Sequence, residues 1–130
     1  MSSVFSKIVS GKIPSYKIFE DDQHLAFLDA FPLALGHVLV IPKHETDYIF
    51  NLGADEYLGL WEFTHKIAKA MDKVLDCKRI GISVIGLEVP HTHIHLVPIN
   101  SIDDLNFTKS KKKFTNNQMT EIAVRINQAI

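Results

Sequence analysis

The sequence predicts an α+β fold: a five-stranded antiparallel sheet with one long central helix, a short N-terminal helix and a C-terminal helix. Three observations predict it. Short runs rich in β-branched and aromatic residues are cut by turn residues, two longer stretches carry apolar residues at helical spacing, and the elements follow the order αβββαββα. Three strands in succession before any long helix give an antiparallel meander rather than alternating parallel units.

Val4 to Val9 has apolar residues at spacing four and reads as a short helix ended by Gly11 and Pro14. Tyr16 to Glu20 and His24 to Asp29 read as strands around the turn Asp21-Asp22-Gln23. Phe31 to Gly36 reads as a loop and His37 to Pro42 as a β-branched strand. From Ala54 to about Asp76 the pattern turns helical, with Leu60, Phe63, Ile67, Met71, Val74 and Leu75 on one face and Asp55 and Glu56 in the first turn. Arg79 to Ile85 reads as a buried strand, Gly86 to Pro90 as a loop, and His91 to Ile99 as the last strand. Thr115 and Gln118 match a capping box, followed by Met119, Ile122, Ala123, Ile126 and Ile130 at helical spacing.

The chain has 130 residues, 46% hydrophobic and 22% charged, which fits one ordinary globular domain spanning 1–130, its C-terminal helix (115–130) an extension. A formal net charge of −1 gives no field for a long polyanion, so no nucleic acid is expected as partner. No stretch approaches the roughly 18–20 apolar residues of a membrane span, and the first residues lack the basic start and apolar core of a secretion signal. The single cysteine, Cys77, fits a reducing compartment, and the cytoplasm is the expected address. The basic run Lys109 to Lys113 has two readings, a solvated loop before a helix and a device that steers phosphate.

The chemistry concentrates in His91-Thr92-His93-Ile94-His95. On a strand, alternate side chains share a face, so the three imidazoles stand on one side roughly 7 Å apart. A neutral imidazole has a lone pair on one nitrogen and a proton on the other. Held in the right tautomer, His93 can attack phosphorus while a neighbour donates a hydrogen bond to a phosphate oxygen. Histidines at i and i+2, completed by His37, also begin a zinc or copper site. A nucleotide-binding module of weak or no activity is the third class. Taken singly, His24 and His65 read as surface or hydrogen-bonded residues and His44 as structural. Asp29 reads as a cap on the Phe31-Pro32 turn, and Phe5, Ile8 and Phe27 as core.

His91 to Val97 resembles the H-φ-H-φ-H-φ-φ signature of the histidine triad (HIT) superfamily, with Thr92 in place of an apolar residue. Val4 to Pro14 resembles that family's opening block, Phe27-Leu28-Asp29 its next, and Gly36 to His44 a third, all in the family's order. The resemblance is to the branch of nucleoside phosphoramidases and dinucleoside polyphosphate hydrolases. It implies the HIT-like fold and a metal-independent hydrolase or transferase that acts on the α-phosphate of a purine nucleotide derivative. No cofactor is implied, and a homodimer is, with the long helix and the strand after it meeting their symmetry mates.

Position by position, the resemblance implies His93 as nucleophile, forming a nucleotidyl-histidine intermediate. It implies His95 as donor to a non-bridging phosphate oxygen, and His91 as the residue that fixes the nucleophile's orientation. His37 matches the supporting fourth histidine, Asp29 the residue that binds ribose hydroxyls, and Val4, Phe5, Ile8 and Phe27 the apolar slot for the base. Two features depart from the pattern. Gly86-Leu87-Glu88 stands where the branch has Gly-Gln-Ser or Gly-Gln-Thr, and Gly81 to Ile85 is shorter than the family's polar loop. Leu87 and Glu88 are therefore expected beside the nucleotide, with Glu88 either a proton donor to a leaving amine or a solvent-facing loop residue. Some members hold zinc with two cysteines, whose positions fall here on Ser3 and Ser6, so no metal is expected. Leu60, Phe63 and Ile67 are the expected apolar patch of the dimer, a face that sequence does not separate from core, with Trp61 beside them.

Overall fold

The computed structural model of the protein describes residues 2–130. Its elements are α1 (Val4–Val9), β1 (Lys17–Glu20), β2 (His24–Leu28), β3 (Val38–Pro42), α2 (Ala54–Val74), β4 (Arg79–Ser83), β5 (Ile94–Ile99) and α3 (Asn116–Gln128). The five strands form one antiparallel sheet in the order β1-β2-β3-β5-β4. Two 3-10 turns, Ile49–Asn51 and Ile102–Leu105, were not foreseen from the sequence. Among the described residues no helix is long and apolar enough to cross a membrane.

Every residue of β2 and β3 is buried, because both faces of the sheet are covered there. Ala26, Leu28, Val38, Val40, Ile94 and Leu96 face α2 and α3 in the larger core. Their alternates Leu25, Phe27, Leu39 and Ile41 pack with Phe5 and Ile8 of α1 on the opposite face. The period of two along the central strands thus divides the molecule into a helix-covered side and a second side, where a six-residue helix covers only part of the sheet.

The ends of the helices follow local chemistry. Ser3 caps α1 by accepting from the Ser6 amide at 3.0 Å, and Thr115 and Gln118 close a reciprocal capping box on α3. On α2, Leu60, Phe63, Ile67 and Met71 turn into the core, with Met119, Ile122, Ala123 and Ile126 of α3 beside them. Leu60 and Ile67 are fully buried and Phe63 nearly so. They belong to the core and cannot form a surface patch, which corrects the expectation for the dimer face. On α2, on β4 and in the loop after it, Leu58, Ile82, Val84, Ile85 and Leu87 are among the apolar residues that are exposed instead.

Two strands differ from the sequence reading. Arg79–Ser83 is an edge strand and half-exposed, since nothing pairs with its outer side among the described residues. The last strand begins at Ile94, not at His91. The β3–β5 ladder runs only from Val38↔Leu96 to Val40↔Ile94. Pro42 has no amide hydrogen to extend it, and its carbonyl accepts from His91 Nε2 at 2.8 Å. The amides of His91 and Thr92 go to the carbonyls of Val89 and Thr46 instead.

Gly36 turns the chain into β3 with a φ of +94°, which side chains rarely adopt. A Cβ there would also stand 2.9 Å from Leu75 Cδ2. Gly36→Ala is expected to cost about 1–3 kcal/mol, read as a lower urea midpoint at unchanged slope. An unchanged midpoint would show that this turn tolerates a side chain.

Candidate functional site

On the second side of the sheet a cavity of about 570 Å³ opens between α1, the loop after β2, the loop before the histidines and the segment after the second 3-10 turn. Ten of the sequence-predicted residues line it: Val4, Phe5, Ile8, Phe27, Asp29, His37, Leu87, Glu88, His93 and His95. His91 does not. It is completely buried behind the wall, below the ring of Phe5.

The hydrogen bonds fix the tautomer of each imidazole. His93 Nδ1 lies 2.7 Å from the His91 carbonyl, an acceptor, so it carries the proton and Nε2 keeps its lone pair. The Leu33 amide donates to His37 Nδ1 at 3.0 Å, which places the proton of His37 on Nε2. That proton is donated to His95 Nδ1 at 3.0 Å, so His95 holds its own proton on Nε2. The His93 and His95 rings meet edge to face with centroids 5.0 Å apart. The cavity wall therefore offers an imidazole lone pair beside an imidazole N–H donor.

His91 is held at both nitrogens. Nε2 donates to the Pro42 carbonyl, and Nδ1 accepts from Ser3 Oγ at 2.9 Å. Glu45 completes this cluster by accepting from the Ser3 amide at 2.7 Å and from Ser6 Oγ at 2.6 Å. The Ser6 hydroxyl, first among its donors, holds the Glu45 carboxyl well below the usual carboxylate range. Serine hydroxyls, which stay protonated and are poor zinc ligands, stand where thiolates would be needed, and this set is unsuited to zinc. What the sequence shows as lost metal positions is a hydrogen-bonded clip that ties α1 to the triad.

Asp29 has two partners. Oδ1 accepts from the Phe31 amide at 2.9 Å, the turn cap read from the sequence, while Oδ2 lies 3.5 Å from His37 Nε2. Burial raises its pKa, opposed chiefly by that amide. Asp29, His37 and His95 offer ligand atoms within 4.8 Å of one another, the one such group of three or more among the described residues. A cation there would need the His37 Nε2 lone pair, which forces a proton onto Nδ1 against the Leu33 N–H. The structure brings together His37 and His95 but not His91 or His93 as metal ligands.

Several wall residues escaped the sequence reading. Phe107 stacks edge-on to His95 with centroids 4.6 Å apart, and Lys111 follows it into the cavity. Only the basic run pointed there. Ser15 lines the wall with a buried hydroxyl that has no protein partner. His44 is exposed rather than structural, whereas His24 is buried against Phe63 and bonded to Asp21.

Burial pushes His37 down to about 3 and His95 down to about 4, with neighbouring positive charge adding to both, and it lowers His91. The rings thus stay neutral in the fold while the unfolded chain takes up protons below its ordinary value near 6.5. The unfolded state binds more protons across that window, so stability falls as pH falls from 6.5 toward 4. Asp29, with its raised value, acts in the opposite sense at the acid end. At pH 5 the loss is roughly 2 kcal/mol for each of His37 and His95. Thermal melts at pH 7.5 and pH 5 are expected to differ by several degrees, the acid sample lower; coincident melts would mean that the rings protonate freely in the fold.

The HIT domain model matches residues 10–102. An uncharacterised HIT-like protein of Borreliella burgdorferi is 35% identical over 116 residues, covering 84% of each chain. The adenosine 5'-monophosphoramidase of Candida albicans is 33% identical over 106 residues, 75% of this chain and 70% of that one. The crystal structure of a HIT-like protein from Bartonella henselae superposes with a TM-score of 0.86 at 27% identity, covering 99% and 96% of the two chains. With the domain match spanning most of the sequence and the sheet, helices and histidines in place, this chain belongs to the HIT family.

Proposed function

We propose that the protein is a nucleotide hydrolase or transferase acting on the α-phosphate of a purine nucleotide derivative, a phosphoramidate or a dinucleoside polyphosphate. One observation carries the reading: His93 keeps an unprotonated Nε2 on a cavity wall while its Nδ1–H is anchored to a carbonyl, with the His95 N–H beside it. The similarity to an adenosine monophosphoramidase supports it.

In this mechanism His93 Nε2 attacks the α-phosphorus and the bond to the leaving group breaks. His95 Nε2–H donates to a non-bridging oxygen, where charge grows in the transition state. The positive charge that develops on His93 is met by the His91 carbonyl through Nδ1–H. Water then cleaves the P–N bond and returns the lone pair. Val4, Phe5, Ile8 and Phe27 clasp the base, Asp29 takes the ribose hydroxyls, and Leu87 and Glu88 flank the leaving group at the exposed mouth. His37 and His91 act by orienting His95 and His93. The chain works as one domain, in the cytoplasm, and as a homodimer joined through the exposed apolar residues of α2 and β4, Leu58 and Ile82.

A module that binds nucleotide without turnover is the rival reading, favoured by the absence of an amide or hydroxyl side chain at Leu87 and Glu88. Incubation with adenosine 5'-phosphoramidate should place an adenylyl adduct on His93, seen by mass spectrometry. His93→Ala is expected to lose at least about 10³-fold in kcat/KM and the adduct with it. His95→Gln is expected to lose about 10²-fold in kcat. Nucleotide bound without adduct or product would establish the module instead.

A further inference from the structure

The run from Lys109 to Lys113 holds four lysines, and the structure sets one apart. Lys109 is ion-paired to Asp103 at 2.5 Å, and neither Lys112 nor Lys113 lines the cavity. The Lys112 amide donates to the Pro32 carbonyl at 2.9 Å, strapping the segment to the loop after β2. Lys111 lines the cavity, the only lysine or arginine to do so among the described residues.

Its ammonium is placed by Phe107. Nζ donates to the Phe107 carbonyl at 2.7 Å, more weakly to that of Lys109 at 3.5 Å, and lies 5.7 Å from the Phe107 ring. The same ring packs on His95 and stands 6.1 Å from His37. No carboxylate among the described residues lies within ion-pair distance of Lys111. The charge of Lys111 is felt at His37, His95 and Asp29, whereas that of Glu88 is felt at Asp29. An uncompensated cation thus lines the same cavity as the donor for the α-phosphate, next to the ring of Phe107 that packs on His95.

We infer that Lys111 determines specificity by binding an anionic leaving group, so that the cavity prefers nucleotides whose α-phosphorus carries a further phosphate over those carrying an amine. The inference rests on the reading of His93 and His95 given above. A leaving amine needs a proton, and Gly86-Leu87-Glu88 has no hydroxyl or amide side chain to orient it. A leaving phosphate needs none, but it needs a cation. As His93 Nε2 forms the N–P bond, the bridging P–O bond breaks and its electron pair stays on the departing phosphate oxygen, facing Lys111. Water then attacks phosphorus, the P–N pair returns to His93 Nε2, and the proton of water passes to solvent. Lys111 also offsets the carboxylates of Asp29 and Glu88, which would otherwise repel such a substrate.

Calorimetric titration of the whole chain with adenosine monophosphate and with the non-hydrolysable α,β-methylene analogue of adenosine diphosphate separates the roles. The wild type is expected to bind the analogue about tenfold more tightly. Lys111→Met should bring that preference to within about twofold, while Lys111→Arg keeps most of it. Lys113→Met, which removes the same charge outside the cavity, should preserve the preference. In turnover, Lys111→Met should lower the ratio of kcat/KM for a dinucleoside polyphosphate over the phosphoramidate by about tenfold. Equal losses on both ligands, or a preference that survives Lys111→Met, would overturn the inference. A preference erased by Lys111→Met in a protein that never forms a His93 adduct would sustain the subsite and refute the covalent mechanism alone.

Discussion

The bond from His93 Nδ1–H to the His91 carbonyl is the constraint on which the site depends. It decides which nitrogen of His93 is free, and it exists only because the chain stops being a regular strand between Pro90 and Ile94. In a continued ladder the His91 carbonyl would face a strand amide. Here β3 ends at a proline, the His91 ring takes the Pro42 carbonyl, and the His91 backbone carbonyl is left for the ring of His93, two residues on. The break in the ladder supplies the acceptor that fixes the His93 proton on Nδ1.

From that bond outward the order is hierarchical. His91 is rigid because the Ser3 hydroxyl and the Pro42 carbonyl hold both ring nitrogens, and Ser3 is rigid because it caps α1 and donates its amide to Glu45. The helix that supplies Phe5 and Ile8 to the cavity wall is thereby tied to the ring that orients His93. The apolar wall and the His93 ring cannot move independently. On the other flank the His37 ring relays the Leu33 amide to His95, so backbone groups set the tautomer of both cavity imidazoles.

Much of this was legible in the sequence for identifiable reasons. Helix periodicity gave α2 and α3 within a few residues, and Thr115 with Gln118 marked the start of α3 because a capping box is a local device. His93, His95 and the supporting blocks pointed to one cavity, whereas His91, where the ladder has ended, lies behind its wall and was not foreseen there. What failed was long-range. The apolar content of Arg79 to Ile85 said strand but could not say edge, since the missing neighbour is not in the local pattern. Leu60, Phe63 and Ile67 looked the same whether destined for core or surface. Phe107 and Lys111 come from an irregular segment strapped to Pro32 by the Lys112 amide, and no periodicity announces that.

The cluster of Asp29, His37 and His95 shows why metal and phosphate chemistry are hard to tell apart in sequence and separable in structure. Both need histidines converging with a carboxylate, and the spacing here meets either demand. What separates them is the backbone amide of Leu33. An N–H aimed at His37 Nδ1 forbids a proton there, so Nε2 becomes a donor and cannot ligate a cation without losing that bond. The same amide makes His95 a donor on its outer nitrogen. A carbonyl in that place would reverse the polarity of the whole relay, turning the His95 outer nitrogen into an acceptor that repels a phosphate oxygen. The choice between binding a cation and stabilising an anion therefore resides in the direction of one backbone hydrogen bond in the loop between β2 and β3.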